Sequence, residues 1–204
     1  MRNILYHILG CAVSGRNLEV ERLKNVTPKE WHDVYLMGKA QGVTCLVFDK
    51  VKNLPKDVAP PKELVLKWMS HSLSIEKQTK SIFQRCAGFA QLMHEHGLHT
   101  LVLKGVAVSQ YYPNPWYREY GDLDCYLYRL HNGQPVWDGC YEEGNSISEN
   151  DGHVVKRGHY KHSHIKYNGL EVENHQYALP IKDGSEVRDL ERELRRLVSN
   201  PEGL

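Results

Sequence analysis

The chain has 204 residues, of which 41% are hydrophobic and 25% are charged. A chain of this length and composition can bury one continuous hydrophobic core, so disorder over most of its length is not expected. The 26 basic and 25 acidic residues nearly cancel. No overall electric field therefore draws the protein to nucleic acid or to an anionic membrane, and a nucleic-acid partner would require a local basic patch.

The five cysteines are odd in number, widely spaced and without a Cys-x-x-Cys pair, which argues against a disulfide framework and against a zinc ribbon. A reducing, cytoplasmic location is therefore expected. The apolar run at residues 3–13 is short and is interrupted by His7, so an amphipathic helix explains it as well as a signal peptide does. No segment approaches the ~20 apolar residues that a membrane span requires, so no membrane partner is expected.

The first half of the chain is predicted to be helical. Residues 3–24 favour helix, and Thr27-Pro28-Lys29-Glu30 combines a capping hydroxyl, a proline at the first helical position and a glutamate three residues after the cap. Residues 43–51 form a further short helix or an extended connection. From Lys62 to about His96, apolar residues recur at near-helical spacing, which predicts one long helix.

The second half alternates strands and helices. Residues 98–103 are predicted as a buried strand, residues 106–112 as a helix and residues 122–128 as the next strand. Residues 130–152 contain many turn formers and little periodicity, so no regular element is predicted there.

A hairpin is expected near the end of the chain. Residues 164–167 and 170–176 flank Asn168-Gly169, and Asn-Gly is the strongest short signal for a two-residue hairpin turn. A charged amphipathic helix is predicted over residues 185–199. Together these elements predict an α+β fold, with a helical N-terminal region over 1–97 packed on a core over 98–204.

Two aspartates lie at alternate positions of one predicted strand. Because alternate side chains of a strand point to the same face, Asp122 and Asp124 project together while Leu123 and Cys125 face the core. Magnesium prefers a few hard carboxylate oxygens and keeps its other positions for water and phosphates. The pair therefore predicts a divalent-cation site; the alternative is a simple turn into an edge strand.

Two further groups lie in elements that neighbour this strand. Lys104-Gly105 stands where a predicted strand becomes a helix, so helix amides and the lysine ammonium can face a triphosphate; the alternative is a plain turn with a solvent lysine. The second hairpin strand places Glu171, Glu173 and His175 on one face, which makes a third carboxylate available. The alternative for these residues is the polar, solvent-facing side of a hairpin.

In this combination and spacing the sequence resembles the bacterial "uncharacterised nucleotidyltransferase" family of the polymerase-β-like superfamily, over about residues 28–177. The motifs that carry the resemblance are Leu103-Lys104-Gly105, Tyr111-Tyr112-Pro113, Arg118, Gly121-Asp122-Leu123-Asp124 and Val172-Glu173-Asn174-His175. The resemblance implies a minimal nucleotidyltransferase fold, a small mixed sheet with flanking helices.

The resemblance also implies a reaction and its residues. Asp122 and Asp124 are expected to hold the metal ions, Mg²⁺ or Mn²⁺, with Glu173 as the third carboxylate that helps to activate the attacking hydroxyl and Glu171 as the fallback. An acceptor hydroxyl or phosphate oxygen would attack the α-phosphorus of a nucleoside triphosphate, and pyrophosphate would leave.

The residues expected to contact the nucleotide or its phosphates are Lys104, Gly105, Arg118, Gly121 and His175. Arg118 alternatively pairs with Glu119 or with a helix end. Many superfamily members carry Gly-Ser where this chain has Lys104-Gly105. Family members commonly continue with further helical structure, so the expected acceptor site is either incomplete here or supplied by a partner chain or a homo-oligomer. The acceptor itself, a small molecule, a protein or an RNA, is left open.

Two other functions compete with the enzyme. One is a catalytically silent nucleotidyltransferase-like module that binds a nucleotide or a protein partner. The other is a zinc or transition-metal protein, suggested by the crowding of His153, His159, His162, His164 and His175. These histidines show neither a helical i, i+4 pair nor a zinc signature, so most are expected on loops or strand surfaces.

Aromatic residues precede the aspartate pair. Stacking of one of them on a base is a candidate role, although core packing and loop anchoring account for most of them. They are Tyr111, Tyr112, Trp116, Tyr117 and Tyr120.

Overall fold

The computed structural model describes residues 2–177 and 185–199. This part of the chain contains α-helices and strands in the order expected for an α+β protein. The helices are α1 (Arg2–Ser14), α2 (Pro28–Ala40), α3 (Thr44–Val51), α4 (Lys62–Glu95), α5 (Val106–Ser109), α6 (Cys140–Asn150) and α7 (Ser185–Ser199). The strands are β1 (His99–Val102), β2 (Asp122–His131), β3 (Gln134–Val136), β4 (Val154–Lys156), β5 (His162–Tyr167) and β6 (Leu170–His175). Short 3₁₀ turns occupy Val20–Leu23 and Pro115–Tyr117.

The start of α2 confirms the capping prediction. The Thr27 hydroxyl accepts a hydrogen bond from the Glu30 amide at 3.3 Å, and the Glu30 carboxylate accepts one from the Thr27 amide at 2.9 Å. Pro28 stands at the first helical position. Each bond satisfies an amide that lacks an intrahelical partner, which is why this sequence begins a helix here.

Residues 130–152 are more ordered than the sequence indicates. Strand β2 continues to His131 and turns into β3, and residues 140–150 form α6. The prediction of no regular element there was wrong, because tertiary packing outweighs the poor helix propensity of this segment. The predicted helix over 106–112 is also shorter in the structure, where α5 ends at Ser109.

The described chain divides into two compact units. The first contains the described residues up to Ser81 together with Val108–Tyr120, and the second contains Ile82–Ala107 together with the described residues from Gly121 onward. This division differs from the boundary at residue 97, since the end of α4 belongs to the second unit. The domain ranges 1–97 and 98–204 stay a prediction, and residues 178–184 and 200–204 lie outside the described residues.

The core of the first unit is built around two tryptophans. Trp31 and Trp68 are buried, and the ring of Tyr35 meets that of Trp68 edge-on at 5.3 Å between centroids. The Trp68 indole donates a hydrogen bond to the carbonyl of Thr44 at 3.0 Å. Burial of side chains of this size contributes roughly 1.5–3 kcal/mol each, so these contacts are a main source of stability of this unit.

The second unit contains a mixed sheet in the strand order β1-β2-β6-β5-β4, with β3 paired to β2. Strands β2 and β6 are parallel, whereas the other pairs are antiparallel. The hairpin of β5 and β6 turns at Asn168-Gly169, both with positive φ (47° and 78°), as a tight hairpin turn requires. The small mixed sheet with flanking helices, preceded by a helical region, confirms the α+β prediction.

Within the part of the chain that the structure covers, no helix combines the length and apolarity needed to cross a bilayer.

Candidate functional site

The parallel pairing of β2 with β6 aligns four acidic residues. Asp122 lies opposite Glu171 and Asp124 opposite Glu173 in the register. Because side chains alternate along a strand, these four side chains share one face of the sheet. The intervening Leu123 is 1% exposed, which confirms that the other face of β2 enters the core.

Asp124 is the most enclosed of these acids. Its side chain is 5% exposed, its Oδ1 accepts a hydrogen bond from Lys104 Nζ at 2.5 Å, and His175 Nε2 lies 3.1 Å from the same oxygen. Burial acts to raise the pKa of the Asp124 carboxyl, but the Lys104 ammonium and the His175 ring outweigh it and the pKa is lowered. Asp124 is therefore an anion at neutral pH.

Lys104 reaches this carboxylate because of how β1 ends. The amide of Leu103 donates to the carbonyl of Asp124 at 2.9 Å, which continues the β1–β2 ladder up to the lysine. Gly105 then turns the chain with a φ of 46°, a conformation that favours glycine. The Lys104 side chain is 56% exposed, and its hydrogen bond to Asp124 raises its pKa, so it is a cation that both contacts Asp124 and faces solvent.

Glu173 lies between two histidines. Its Oε2 is 3.4 Å from His175 Nε2 and 3.7 Å from His162 Nδ1. One potential ligand atom from each of these three residues lies within 4.8 Å of the others. Among the described residues, these three side chains are the compact group that can hold a metal ion. His162 is therefore part of this group, whereas the sequence predicted loop or strand-surface positions for most of the histidines.

The histidines of β5 continue this polar face. His164 Nδ1 is 3.2 Å from Glu171 Oε1, and His164 Nε2 is 3.2 Å from His162 Nε2. His159 stacks on His162 at 4.5 Å between ring centroids. Burial, together with neighbouring positive charge from His175 and other groups, lowers the pKa of His162 to about 4, so its ring is neutral at pH 7.

A neutral polar network lies on the opposite face of the same strands. Asn145 of α6 accepts hydrogen bonds through Oδ1 from Ser163 Oγ at 2.5 Å and from Asn174 Nδ2 at 3.0 Å. Asn174 Nδ2 also donates to the carbonyl of Tyr141 at 3.0 Å. The three side chains have no exposed surface. They tie α6 to β5 and β6 and so fix the strands that carry Glu173 and His175.

A cavity of about 230 Å³ adjoins His175. Its lining combines four aromatic residues with polar groups, including Tyr126, Trp137, Tyr141, Tyr177, Asp138, Gln176 and Arg195. The Arg195 guanidinium lies 5.7 Å from the centre of the Tyr126 ring and 5.9 Å from that of Trp137. The volume is below the roughly 300 Å³ at which pockets for complete small ligands begin, so it suits one part of a larger ligand.

The remaining residues of the sequence motif lie in or next to the first unit. Arg118 belongs to that unit, and its guanidinium lies over the Tyr120 ring at 5.9 Å. The segment of the first unit that contains Arg118 ends at Tyr120, and the chain re-enters the second unit at Gly121. Three of the aromatic residues before the aspartates make anchoring contacts there: Tyr117 donates to Asp49, Tyr120 donates to the carbonyl of Thr79, and Trp116 lies under Lys80.

Apart from His175, the residues that line the cavity were not predicted from the sequence. Tyr126 had a usable signal, because it lies two residues after Asp124 on the same strand and therefore on the same face. Trp137 and Arg195 had none, since only long-range folding brings them to Tyr126.

Of three comparisons with known proteins, one found a match. A search of curated proteins and a search of solved structures found no match. The model of a family described as "Uncharacterised nucleotidyltransferase" matches residues 27–201. The match spans most of the chain and includes the α+β sheet and its acidic face, and the chain therefore belongs to this nucleotidyltransferase family.

Proposed function

We propose that the chain is a divalent-metal-dependent enzyme that transfers a nucleoside monophosphate from a nucleoside triphosphate to a hydroxyl or phosphate acceptor. The acceptor oxygen bonds to the α-phosphorus, the bond from that phosphorus to the bridging oxygen breaks, and pyrophosphate leaves. The acceptor is a small molecule, a protein or an RNA, and the location is cytoplasmic.

The observation that carries the proposal is the acidic face formed by β2 and β6. Asp122 and Asp124 lie in register with Glu171 and Glu173 on adjacent parallel strands. Concentrating four carboxylates on one face is electrostatically unfavourable unless cations lie among them. Lys104 contributes one cation, and bound metal ions are the natural source of further positive charge.

The carboxylate chemistry of the acidic face suits a hard divalent cation. Asp122, Asp124 and Glu173 offer carboxylate oxygens, and Asp124 is held as an anion, as a metal ligand must be. These three residues would hold Mg²⁺ or Mn²⁺. The bound ion would offset the charge that develops on the reacting phosphoryl group and on pyrophosphate.

The chain's own residues position the substrate. Lys104 is half exposed, so its ammonium can contact a phosphate while it borders Asp124. Glu173 helps to remove the proton of the attacking hydroxyl. His175 is 2% exposed and hydrogen-bonds Asp124, so it fixes the orientation of that carboxylate. Gly105 and Gly121 provide further phosphate contacts in this proposal, and the phosphate role of Arg118 stays a prediction from the sequence.

The aromatic cavity next to His175 is the proposed subsite for the nucleobase. Its volume of about 230 Å³ accommodates one ring system, and aromatic rings stack on any base. Trp137 and Tyr177 line it beside Arg195. Tyr126 faces the same cavity and stands two residues from Asp124, which is close enough for one ligand to reach both.

Calorimetric binding of the four ribonucleoside triphosphates, with and without Mg²⁺, tests the proposal. Wild-type protein is expected to bind at least one of them only when Mg²⁺ is present. The Asp122→Asn, Asp124→Asn double variant keeps the size of both side chains but removes their charge, so it should lose the magnesium-dependent binding.

The matched control is Asp189→Asn, which changes an exposed aspartate of α7. It should bind as the wild type does. Absence of binding to folded wild type, or binding that ignores both aspartates, would overturn the enzyme proposal. Magnesium-dependent binding of a nucleoside triphosphate that releases no pyrophosphate with any class of acceptor would instead identify a silent nucleotide-binding module.

A further inference from the structure

The histidines of β5 and β6 form a connected group beside the carboxylates. His162 lies opposite His175 in the hairpin register, and His164 lies opposite Glu173. All four side chains therefore share one face, and none is more than half exposed. Imidazoles enclosed in this way have defined tautomers, which decide where their lone pairs point.

A hydrogen-bond chain that starts at Glu171 fixes the tautomer of His162. The Glu171 carboxylate only accepts, so His164 Nδ1 carries the proton and donates across 3.2 Å. His164 Nε2 is then an acceptor, and His162 Nε2 carries a proton and donates a hydrogen bond to it across 3.2 Å. His162 Nδ1 is left with a lone pair, and it is buried and has no hydrogen-bond partner among the described residues.

A backbone carbonyl orients the second imidazole. His175 Nδ1 lies 3.3 Å from the carbonyl oxygen of Tyr177, which can only accept, so Nδ1 carries a proton. His175 Nε2 points at two carboxylates, Glu173 at 3.4 Å and Asp124 at 3.1 Å. A neutral ring would direct a lone pair at these anions, which is favourable only when a cation, either a proton or a metal ion, lies there.

Two of the donor distances are close to those around one metal ion, and all three donor atoms lie within 4.8 Å of one another. A tetrahedral ion with bonds of about 2.1 Å holds its ligand atoms about 3.4 Å apart. Glu173 Oε2 is 3.4 Å from His175 Nε2 and 3.7 Å from His162 Nδ1. Both histidines also donate their other ring nitrogen to an acceptor, as ligands of structural and catalytic metals do.

We propose that His162 Nδ1, His175 Nε2 and Glu173 form a binding site for a transition-metal ion of the zinc class. Two imidazole nitrogens and one carboxylate suit Zn²⁺ and related ions, whereas Mg²⁺ prefers oxygen ligands alone. Glu171 and His164 are positioning residues, because they act through the tautomer of His162. Asp124 borders the site and places the ion next to the acidic face.

The three-residue site would hold the ion whether or not the chain transfers nucleotides, so its test contains no nucleotide. Failure of the metal site and failure of the transferase proposal are then separate results. Glu173 belongs to both ligand sets, which predicts that Zn²⁺ changes how the acidic face binds Mg²⁺.

Wild-type protein comes first, because variants of the buried His175 carry a folding risk. Zn²⁺ is titrated into chelator-treated protein by calorimetry, and nitrogen-15 spectra of the histidine rings are recorded before and after. One ion per chain is expected. The spectra should show the Nε2-protonated tautomer of His162 before addition, and the signals of His162 Nδ1 and His175 Nε2 should shift on binding.

Variants then separate direct ligands from positioning residues. His162→Gln and Glu173→Gln should raise the Zn²⁺ dissociation constant more than about 100-fold. His164→Gln should raise it about 10–100-fold, as loss of a partner that orients a ligand does. The control is His131→Gln, an exposed histidine at the end of β2, which should bind as the wild type does.

Three results would overturn the site. They are absence of Zn²⁺ binding to folded wild type, stoichiometric binding that leaves the His162 and His175 ring signals in place, and an unchanged dissociation constant in a folded His162→Gln variant. Co²⁺ serves as a second probe, because its visible spectrum reports nitrogen coordination independently of protein folding measurements.

Discussion

The two faces of the central sheet carry different kinds of polar side chain. On one face, Asp124, Glu173 and His175 collect charge and lone pairs at positions of low exposure. On the other face, the neutral groups of Asn145 and Asn174 are fully buried and hydrogen-bond to each other. Adjacent residues of the same strand thus belong to different chemical environments.

The difference between the faces indicates where stability and function lie. The amide network carries no net charge and its hydrogen bonds fix the strand positions, although Asn145 Nδ2 and Asn174 Oδ1 have no partner among the described residues. Converging carboxylates and imidazole lone pairs repel one another without a cation. The face that carries Asp124, Glu173 and His175, the open face, therefore favours ligand binding at the expense of stability. The opposite face, the core face with Asn145 and Asn174, holds the strands of the open face in place.

The largest effect is expected for Asp124→Asn, which removes one charge from the open face without changing its shape. Magnesium-dependent nucleotide binding and turnover should fall by at least about 100-fold, because the charge complementary to the metal is lost. The free energy of unfolding should change by less than the binding energy does. Calorimetry and chemical denaturation of the same preparation measure both.

A large loss of stability in Asp124→Asn, with binding retained, would contradict the contrast between the faces. It would assign Asp124 to the folding core together with Lys104. The Asp189→Asn protein again provides the comparison, since that carboxylate is exposed on α7.

The next largest effect is expected on the core face, from Asn174→Ala. Asn174 Nδ2 donates to both Asn145 and the carbonyl of Tyr141, so the change leaves two buried acceptors with one donor fewer. The expected loss in the free energy of unfolding is about 1–3 kcal/mol. Urea denaturation measures this loss. A value below about 0.5 kcal/mol would show that the network contributes little to stability.

The open face could be predicted from sequence because it depends on local periodicity. The alternation of Asp122 and Asp124, and that of Glu171, Glu173 and His175, needs only the period of two of a strand. The Asn168-Gly169 turn also fixes the register of its hairpin. Counting back from that turn pairs His162 with His175, so the histidine group had a signal that the sequence interpretation did not use.

The core face could not be predicted, because its determinants are long-range. Helix α6 contains Gly144, Asn145, Ser146 and Ser148, all weak helix formers in isolation. Asn145 forms hydrogen bonds with residues 18 and 29 positions away. The same limit hid the aromatic cavity, whose Trp137 and Arg195 meet only in the folded chain.

A smaller effect is expected for Gly144→Ala, which tests how closely α6 approaches β2. A Cβ at this position would overlap with Leu127 Cδ1, and Leu127 is itself 3% exposed. Overpacking costs about 1–3 kcal/mol and the gain in helix propensity returns about 1 kcal/mol, so a net loss of about 1 kcal/mol is expected. Thermal and urea denaturation measure this change.

The matched control for that variant is Gly10→Ala in α1, where no atom lies within 4 Å of an added Cβ. Helix propensity alone should then stabilise the protein by up to about 1 kcal/mol. Equal effects of the two variants would mean that the contact between Gly144 and Leu127 does not constrain the core face.

The smallest effect on stability is expected for Lys104→Met, although Lys104 contacts the most enclosed acid of the open face. The lysine is 56% exposed, so solvent screening limits the ion pair to about 1 kcal/mol or less. Because the Lys104 pKa is raised, the contribution of the lysine to the free energy of unfolding is fully present below pH 10.5. It is lost as the pH rises through the pKa of the folded state. The lowered Asp124 pKa makes its contribution complete above pH 3.8 and lost as the pH falls through the folded-state value. Urea denaturation should therefore give a small difference from wild type that is constant between these limits, whereas a loss above about 3 kcal/mol would identify a buried structural ion pair and make the open face part of the folding core.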